Sequence, residues 1–124
     1  MPPHTVVCLE DDLDLARLIE LTVRAWPATV YLAHDGIRGL DLIRAQKPDV
    51  ILLDLGLPGL NGWEICAAVK NDPDLCDIPI IVLTAVPIEI QERSALSQVF
   101  DYLVKPFSLG HLRTALEPVL RPAS

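Results

Sequence analysis

The chain has 124 residues, of which 51% are hydrophobic, and this predicts a single domain over residues 1–124 with one core at about residues 5–120. Its formal net charge of −7 argues against direct nucleic-acid binding, which relies on lysine and arginine to neutralise phosphates. The apolar stretches are too short to cross a bilayer and the N-terminus is unlike a signal peptide, so we expect a cytoplasmic protein without a membrane segment.

Short apolar runs alternate along the chain with segments of helical periodicity. The predicted strands are Thr5–Leu9, Ala28–Ala33, Val50–Leu53, Ile78–Leu83 and Tyr102–Val104. Strands that are separated by helices pair in parallel through right-handed crossovers. Because the runs are apolar throughout, both faces of the sheet are expected to be covered. The pattern predicts an open α/β sheet between two layers of helices.

Four helices are predicted between these strands and one after them. The first is expected to bury one face, made by Leu15, Leu18, Ile19, Thr22 and Val23. The last is expected to do the same with Leu109, Leu112, Leu116, Val119 and Leu120. Asn61 and Glu64 have capping-box spacing at the start of helix three, and Ser108 is a candidate cap for the last helix. The weakest helical pattern is Pro87–Gln98, which we expect to be the most mobile element.

Charged residues follow three of the predicted strands. Glu10, Asp11 and Asp12 come after strand one, Asp54 after strand three and Lys105 after strand five. Ligands of open α/β sheets bind outside the carboxyl ends of the strands, where the chain order reverses. For the strand order 2-1-3-4-5 this point lies between strands one and three. The three clustered acids and Asp54 are therefore predicted to be neighbours.

This set of side chains favours one chemistry. Crowded carboxylates repel one another unless a cation is present, and oxygen-only ligands of this charge suit Mg²⁺, which commonly takes one or two carboxylates plus a phosphate oxygen. Thr84 adds a hydroxyl after the fourth strand, and Lys105 adds a compact positive charge. Together with Asp54 as nucleophile, they match phosphoryl transfer to an aspartate, where catalysis is mainly positioning and charge neutralisation.

Each residue also has a structural interpretation on its own. The three acids suit the N-terminus of helix one, Asp54 could form a turn, Thr84 could simply end a strand, and Lys105 could be solvated. Their joint occurrence at successive strand ends favours a site. The three histidines are scattered along the chain and are expected to be surface or capping residues: His4, His34 and His111.

Four motifs in this order resemble the receiver domain of response regulators in two-component signalling. They are Val6–Asp12, Pro48–Gly59 followed by Gly62, Ile78–Ala85 and Asp101–Phe107. The likeness covers about residues 5–120. It implies a flavodoxin-like three-layer α/β/α sandwich with a five-stranded parallel sheet in the order 2-1-3-4-5.

The resemblance also implies roles for individual residues. Asp54 is expected to accept a phosphoryl group from a sensor histidine kinase or a histidine phosphotransfer protein. Asp11 and Asp54 are expected to bind Mg²⁺ directly with the carbonyl of Gly56, while Glu10 acts partly through water. The metal ligand set is therefore predicted to be Glu10, Asp11, Asp54 and Gly56.

Further residues are implied to bind the phosphoryl group and respond to it. Thr84 and Lys105 are expected to bind phosphate oxygens, and Tyr102 stands at the position of an aromatic side chain that turns inward on switching. Structural roles beside the site fall to Pro58, Gly59 and Pro106. A cis peptide bond is expected before Pro106.

The output implied by the resemblance is a surface made by helix four, strand five and helix five, which contacts an output domain or a partner protein. In this reading the protein is a stoichiometric switch and not a turnover enzyme. The sequence departs from the family pattern just before Tyr102, where Gln98–Phe100 replaces a small pair and the interval from Thr84 to Lys105 is about one residue short. A shifted or specialised output surface is therefore expected.

Three other functions are compatible with parts of the pattern. The strongest alternative is a receiver-like interaction module whose output does not depend on phosphorylation. A flavodoxin-like cofactor module is disfavoured because three acids stand where its phosphate loop would lie. A haloacid-dehalogenase-like phosphatase is disfavoured because the chain has no room for a cap domain.

Overall fold

The computed structural model describes residues 4–26, 28–85 and 99–120. The strands in these residues are His4–Leu9 (β1), Ala28–Ala33 (β2), Val50–Asp54 (β3), Ile80–Thr84 (β4) and Asp101–Val104 (β5). The helices are Leu13–Val23 (α1), Gly36–Gln46 (α2), Gly62–Lys70 (α3) and Leu109–Leu120 (α4). Helix α4 is the fifth helix predicted from the sequence, since the predicted helix Pro87–Gln98 lies outside the described residues. In this part of the chain, no helix is long and apolar enough to span a bilayer.

The five strands form one parallel sheet in the order β2-β1-β3-β4-β5. The central strands β1 and β3 pair from Val6 with Val50 to Leu9 with Leu53. The connections from β1 to β2, from β2 to β3 and from β3 to β4 are crossovers, and they contain α1, α2 and α3 respectively. The predicted fold class, a flavodoxin-like α/β sandwich with this strand order, is confirmed.

Within residues 4–26, 28–85 and 99–120, the core consists of two clusters, one on each face of the sheet. On one face Val7 and Leu9 of β1 pack with side chains of α2 and α3, including Ile43 and Ile65. Val6 and Cys8, which alternate with them, point to the opposite face. They pack there with side chains of α1 and α4, including Ile19, Val23, Leu112 and Leu116. The three inner strands β1, β3 and β4 are largely buried on both sides, which explains their continuously apolar sequences, whereas the edge strands β2 and β5 are partly exposed.

Strand β4 begins later than the sequence predicted. It starts at Ile80 and not at Ile78. Pro79 has no N–H to donate to a sheet, although its carbonyl accepts a hydrogen bond from the N–H of Ile51 at 3.0 Å. The regular ladder therefore starts only after the proline.

Two leucines that were predicted to be buried are exposed. Leu18 of α1 is 49% exposed. The face of this helix that points inward is centred on Ala16, Ile19 and Val23, each about one turn from the next. Leu109 is 39% exposed because it is the first residue of α4, at the edge of the core. The inward stripe of α1 also buries Glu20, whose two carboxylate oxygens pair with arginines at 3.0 and 3.3 Å.

The predicted helix caps are present. The Asn61 side chain accepts from the N–H of Glu64 at 3.0 Å, and the Glu64 side chain accepts from the N–H of Asn61 at 3.4 Å, which completes the capping box. Ser108 Oγ accepts from the N–H of His111 at 3.0 Å at the start of α4. These bonds fix where α3 and α4 begin, next to the carboxyl ends of the strands.

Candidate functional site

Strand register brings the polar residues to one edge of the sheet. Leu9 pairs with Leu53, so the residues that follow them, Glu10 and Asp54, lie side by side at this edge. Thr84 ends β4, and its carbonyl accepts a hydrogen bond from the N–H of Lys105 at 2.6 Å. The carboxyl ends of four strands thus contribute to one small region.

Lys105 joins the two carboxylates at the centre of this region. Its Nζ lies 2.6 Å from Glu10 Oε1 and 3.3 Å from Asp54 Oδ2. Glu10 is fully buried, Asp54 is 6% exposed, and the side chain of Lys105 is 20% exposed. The ammonium therefore neutralises two carboxylates that lie largely out of water, where each charge matters more than at the surface.

The other oxygen of Asp54 is held by the backbone. The N–H of Gly56 donates to Asp54 Oδ1 at 2.8 Å. With Lys105 on Oδ2, both carboxylate oxygens of Asp54 have a defined partner. The carboxylate is consequently oriented before any ligand arrives.

These contacts separate the proton affinities of the two carboxyl groups. Burial raises the pKa of Glu10 to about 7, against the opposing effects of Lys105 and the N–H of Asp12. Burial by itself would raise the pKa of Asp54 too, but the Gly56 N–H, the neighbouring Glu10 carboxyl and the charge of Lys105 lower it below its usual range. At neutral pH and without a metal, Asp54 is thus anionic while Glu10 is close to its titration midpoint.

For Lys105, the effect of the neighbouring carboxylates on the pKa outweighs the effect of burial. Burial by itself would lower the pKa of Lys105, but its contacts with Glu10 and Asp54 raise it above its usual value. The ammonium form is therefore the one present at physiological pH.

Three carboxylates are close enough to share one cation. Glu10, Asp11 and Asp54 each offer an oxygen, and these atoms lie within 4.8 Å of one another. Asp11 is exposed, so the cluster has an open side. Hard oxygen donors with a net negative charge and an open side fit Mg²⁺, which retains several waters. The residues present therefore fit the metal that the sequence predicted.

The third acid of the motif has a structural role. Asp12 Oδ1 accepts hydrogen bonds from the N–H groups of Asp14 and Leu15 at 3.0 and 3.1 Å and caps α1. The N–H of Asp12 itself donates to Glu10 Oε2 at 3.1 Å. The capping interpretation therefore holds for Asp12, whereas Glu10 and Asp11 face the cluster.

Thr84 and Tyr102, which were predicted to bind and sense a phosphoryl group, lie on the paired strands β4 and β5. Thr84 is buried, with 4% exposure, at the end of β4. Tyr102 of β5 is 44% exposed, so its ring lies at the surface and not in the core. The peptide between Lys105 and Pro106 is cis, as predicted.

The loop after Asp54 is tied to a neighbouring helix. The carbonyl of Pro58 accepts a hydrogen bond from the N–H of Gly36, the first residue of α2, at 2.9 Å. Gly59 has φ of +83°, a conformation that favours glycine. These contacts position the segment that contains Gly56.

One residue at the site was not singled out as functional from the sequence. His34 was expected to be a surface or capping residue, and it is exposed, but its Nδ1 lies 2.9 Å from the carbonyl oxygen of Glu10. The contact depends on β2 lying beside β1. The available signal was that His34 directly follows the strand that neighbours the acidic cluster.

Comparison with known proteins agrees with this geometry. The family described as the response regulator receiver domain matches residues 6–117. The receiver domain of a sensor histidine kinase from Pseudomonas aeruginosa PAO1, solved with magnesium coordinated in its active-site cleft, is 28% identical, with a TM-score of 0.84 over 97% of this chain and 99% of that one. The phosphorylated cyanobacterial phytochrome response regulator RcpA is 29% identical, with a TM-score of 0.84 over 98% of this chain and 97% of that one.

A third structure shows a different metal in a related protein. The Mn²⁺-bound form of response regulator Rcp1 is 25% identical to this chain, with a TM-score of 0.85 and coverage of 98% of both chains. The family match spans most of the chain and includes each strand end that contributes to the site. The chain therefore belongs to the response regulator receiver domain family of two-component systems.

Proposed function

We propose that this receiver domain accepts a phosphoryl group on Asp54 from a sensor histidine kinase or a histidine phosphotransfer protein. One observation carries the proposal. Asp54 is a buried carboxylate with a pKa below its usual range, and Lys105 and Gly56 orient its two oxygens beside two further carboxylates. The anionic form is the nucleophile, so the site holds Asp54 in its reactive state.

The transfer itself needs little from the protein beyond position and charge. An oxygen of Asp54 forms a bond to phosphorus as the bond from phosphorus to the donor nitrogen breaks, and the electron pair of that bond stays on the donor. Glu10, Asp11, Asp54 and the carbonyl of Gly56 would hold Mg²⁺. When bound, Mg²⁺ supplies positive charge that neutralises the phosphoryl oxygens.

In this proposal two side chains recognise the phosphoryl group. Lys105 already lies 3.3 Å from Asp54 Oδ2, so its ammonium stays within reach of an oxygen added to that carboxylate. Thr84 ends the adjacent strand and can donate its hydroxyl proton to another phosphoryl oxygen. A cavity of about 480 Å³ lies on the other side of Lys105, lined also by Leu15, Leu18 and Phe107.

The proposed output is a conformational change that begins at these two side chains. Phosphorylation adds about −1.5 to −2 charges, which can bias an element with two arrangements of similar energy. Val82 pairs with Tyr102 and Thr84 with Val104, so the strand that carries Thr84 lies directly beside the exposed Tyr102. We propose that Tyr102, β5, α4 and the predicted helix Pro87–Gln98 form the surface that contacts an output domain or partner protein.

Two further parts of the proposal concern the class of protein and its location. The domain acts as a stoichiometric switch and not as a turnover enzyme, because the group that it accepts stays on its own side chain. A cytoplasmic location, where kinases have access to ATP, accompanies this role.

The proposal is tested by intact mass after incubation with Mg²⁺ and acetyl phosphate. The parent protein is expected to gain the mass of one phosphoryl group, and Asp54→Asn is expected to gain none. Asp12→Asn is the matched control, since it makes the same chemical change in the acidic motif while asparagine keeps the cap of α1. Phosphorylation of the parent and of Asp54→Asn to the same extent would refute Asp54 as acceptor. If acetyl phosphate and a cognate kinase both leave the parent unmodified, the phosphorylation-independent interaction module becomes the better account.

A further inference from the structure

The peptide between Glu10 and Asp11 receives a hydrogen bond from a side chain outside the sheet. His34 Nδ1 lies 2.9 Å from the carbonyl oxygen of Glu10. A carbonyl oxygen only accepts hydrogen bonds, so the ring nitrogen is the donor. Both the imidazolium form and the neutral Nδ1–H tautomer provide this proton, so the bond does not require a charged ring.

This bond continues the pairing of β1 with β2 beyond the last residue of β2. The N–H of Glu10 donates to the carbonyl of Ala33, where β2 ends, at 3.0 Å. Asp35 then leaves the sheet and caps α2 by accepting from the N–H of Arg38 at 2.8 Å. Glu10 is thus held at its N–H by Ala33 and at its carbonyl by the ring of His34.

Holding the carbonyl of Glu10 also orients Asp11. The carbonyl carbon of Glu10 and the nitrogen of Asp11 belong to one planar peptide, so fixing one end of the plane fixes the direction in which Asp11 leaves it. Glu10 and Asp11 provide two of the three carboxylates that lie within 4.8 Å of one another, and Asp11 is the exposed one. Groups that hold metal ligands in place from outside commonly set metal affinity.

We propose that His34 is a positioning residue that holds the Glu10–Asp11 peptide in place for binding of a divalent cation. The inference rests on the proposed function, because that function assigns both carboxylates to the cation. Without the hydrogen bond, part of the cost of ordering Asp11 falls on the binding step and weakens affinity.

The test is the affinity for Mg²⁺ alone, measured by isothermal titration calorimetry without a phosphodonor. His34→Leu removes the donor but keeps an apolar side chain of similar size, and it is expected to bind Mg²⁺ about three- to tenfold more weakly. His34→Asn places an amide N–H where the ring nitrogen was and is expected to bind within about twofold of the parent. His111→Leu is the matched control, since His111 is an exposed histidine of α4, and it is expected to leave the affinity unchanged.

Phosphorylation by acetyl phosphate provides a second readout. His34→Leu is expected to reach the parent rate at saturating Mg²⁺ and to fall below it only when Mg²⁺ is limiting. The inference would be refuted if His34→Leu bound Mg²⁺ with the same affinity as the parent. It would also be refuted if His34→Leu and His34→Asn weakened Mg²⁺ binding equally, because the loss would then come from removing the imidazole ring and not from removing the N–H donor. If His34→Leu weakens Mg²⁺ binding but the parent takes up no phosphate from acetyl phosphate or from a cognate kinase, the positioning role stands and the proposed function fails.

Discussion

The buried carboxyl of Glu10 makes the stability of the metal-free protein depend on pH. The pKa of this group is raised from 4.5 to about 7 in the folded protein. The folded state therefore binds the proton more tightly than the unfolded state, so the stabilisation is complete below pH 4.5 and is lost as pH rises through 7. A rise of the pKa from 4.5 to about 7 corresponds to about 3 kcal/mol of unfolding free energy.

The perturbation that isolates this contribution is Glu10→Gln. Glutamine keeps the size of the side chain but does not titrate, so the variant should lose less stability than the parent as pH rises. The difference in unfolding free energy between variant and parent is expected to move by about 3 kcal/mol in favour of the variant between pH 4 and pH 8. Lys105 pairs with the ionised form at 2.6 Å, and the shift to about 7 already includes that compensation.

The assay is urea unfolding in EDTA, followed by tryptophan fluorescence at unit steps from pH 4 to pH 8. Glu117→Gln, the same change on the exposed face of α4, is the control and is expected to track the parent at every pH. Saturating Mg²⁺ should reduce the pH-dependent loss in the parent, because the cation favours the carboxylate form. A difference between Glu10→Gln and the parent that stays constant with pH would refute the reasoning.

Three more predictions follow from the same structure. Lys105→Met removes the ammonium that lies 2.6 Å from Glu10 and 3.3 Å from Asp54. The variant is expected to destabilise the metal-free protein by about 1–3 kcal/mol in urea unfolding at pH 8 and to slow phosphate uptake. Unchanged stability and uptake would contradict the role given to these two contacts. At Gly56, an added Cβ would meet Asp54 Oδ1 at 3.6 Å and, apart from its chain neighbours, no other atom of the described residues within 4 Å. A side chain that can hold an attacking water therefore fits there, and Gly56→Asn is expected to shorten the phosphorylated half-life severalfold, as followed by intact mass. A half-life equal to that of the parent would oppose this. Asn61→Ala breaks the capping box of α3 and is expected to cost about 1 kcal/mol of unfolding free energy, whereas Asn61→Asp should cost much less.

Much of the site could be predicted because it depends on strand ends. Once the parallel order is assigned, the residues after β1, β3 and β5 must meet at one edge, and Glu10, Asp54 and Lys105 do so. The division of labour within the acidic motif could not be predicted. Asp12 turns back to cap α1, and that choice depends on the backbone conformation after β1.

Other features depend on contacts that local sequence does not encode. The exposure of Leu18 follows from how α1 is rotated against the sheet, and helical periodicity alone does not determine that rotation. The raised pKa of Glu10 follows from complete burial, which no motif specifies. His34 reaches Glu10 across 24 positions of sequence, through the pairing of two strands. The expected mobility of Pro87–Gln98 concerns residues outside the described part of the chain, and it stays a prediction, as does the shifted or specialised output surface.

The central claim is that the phosphoryl group is attached to the carboxylate of Asp54. The most direct test is to phosphorylate the protein with Mg²⁺ and acetyl phosphate, reduce the acyl phosphate with borohydride, and map the product by peptide mass spectrometry. Reduction converts a phosphorylated aspartate to homoserine, so homoserine is predicted at position 54 and at no other aspartate. Homoserine at Asp11 or Asp12 with position 54 unmodified would contradict the account.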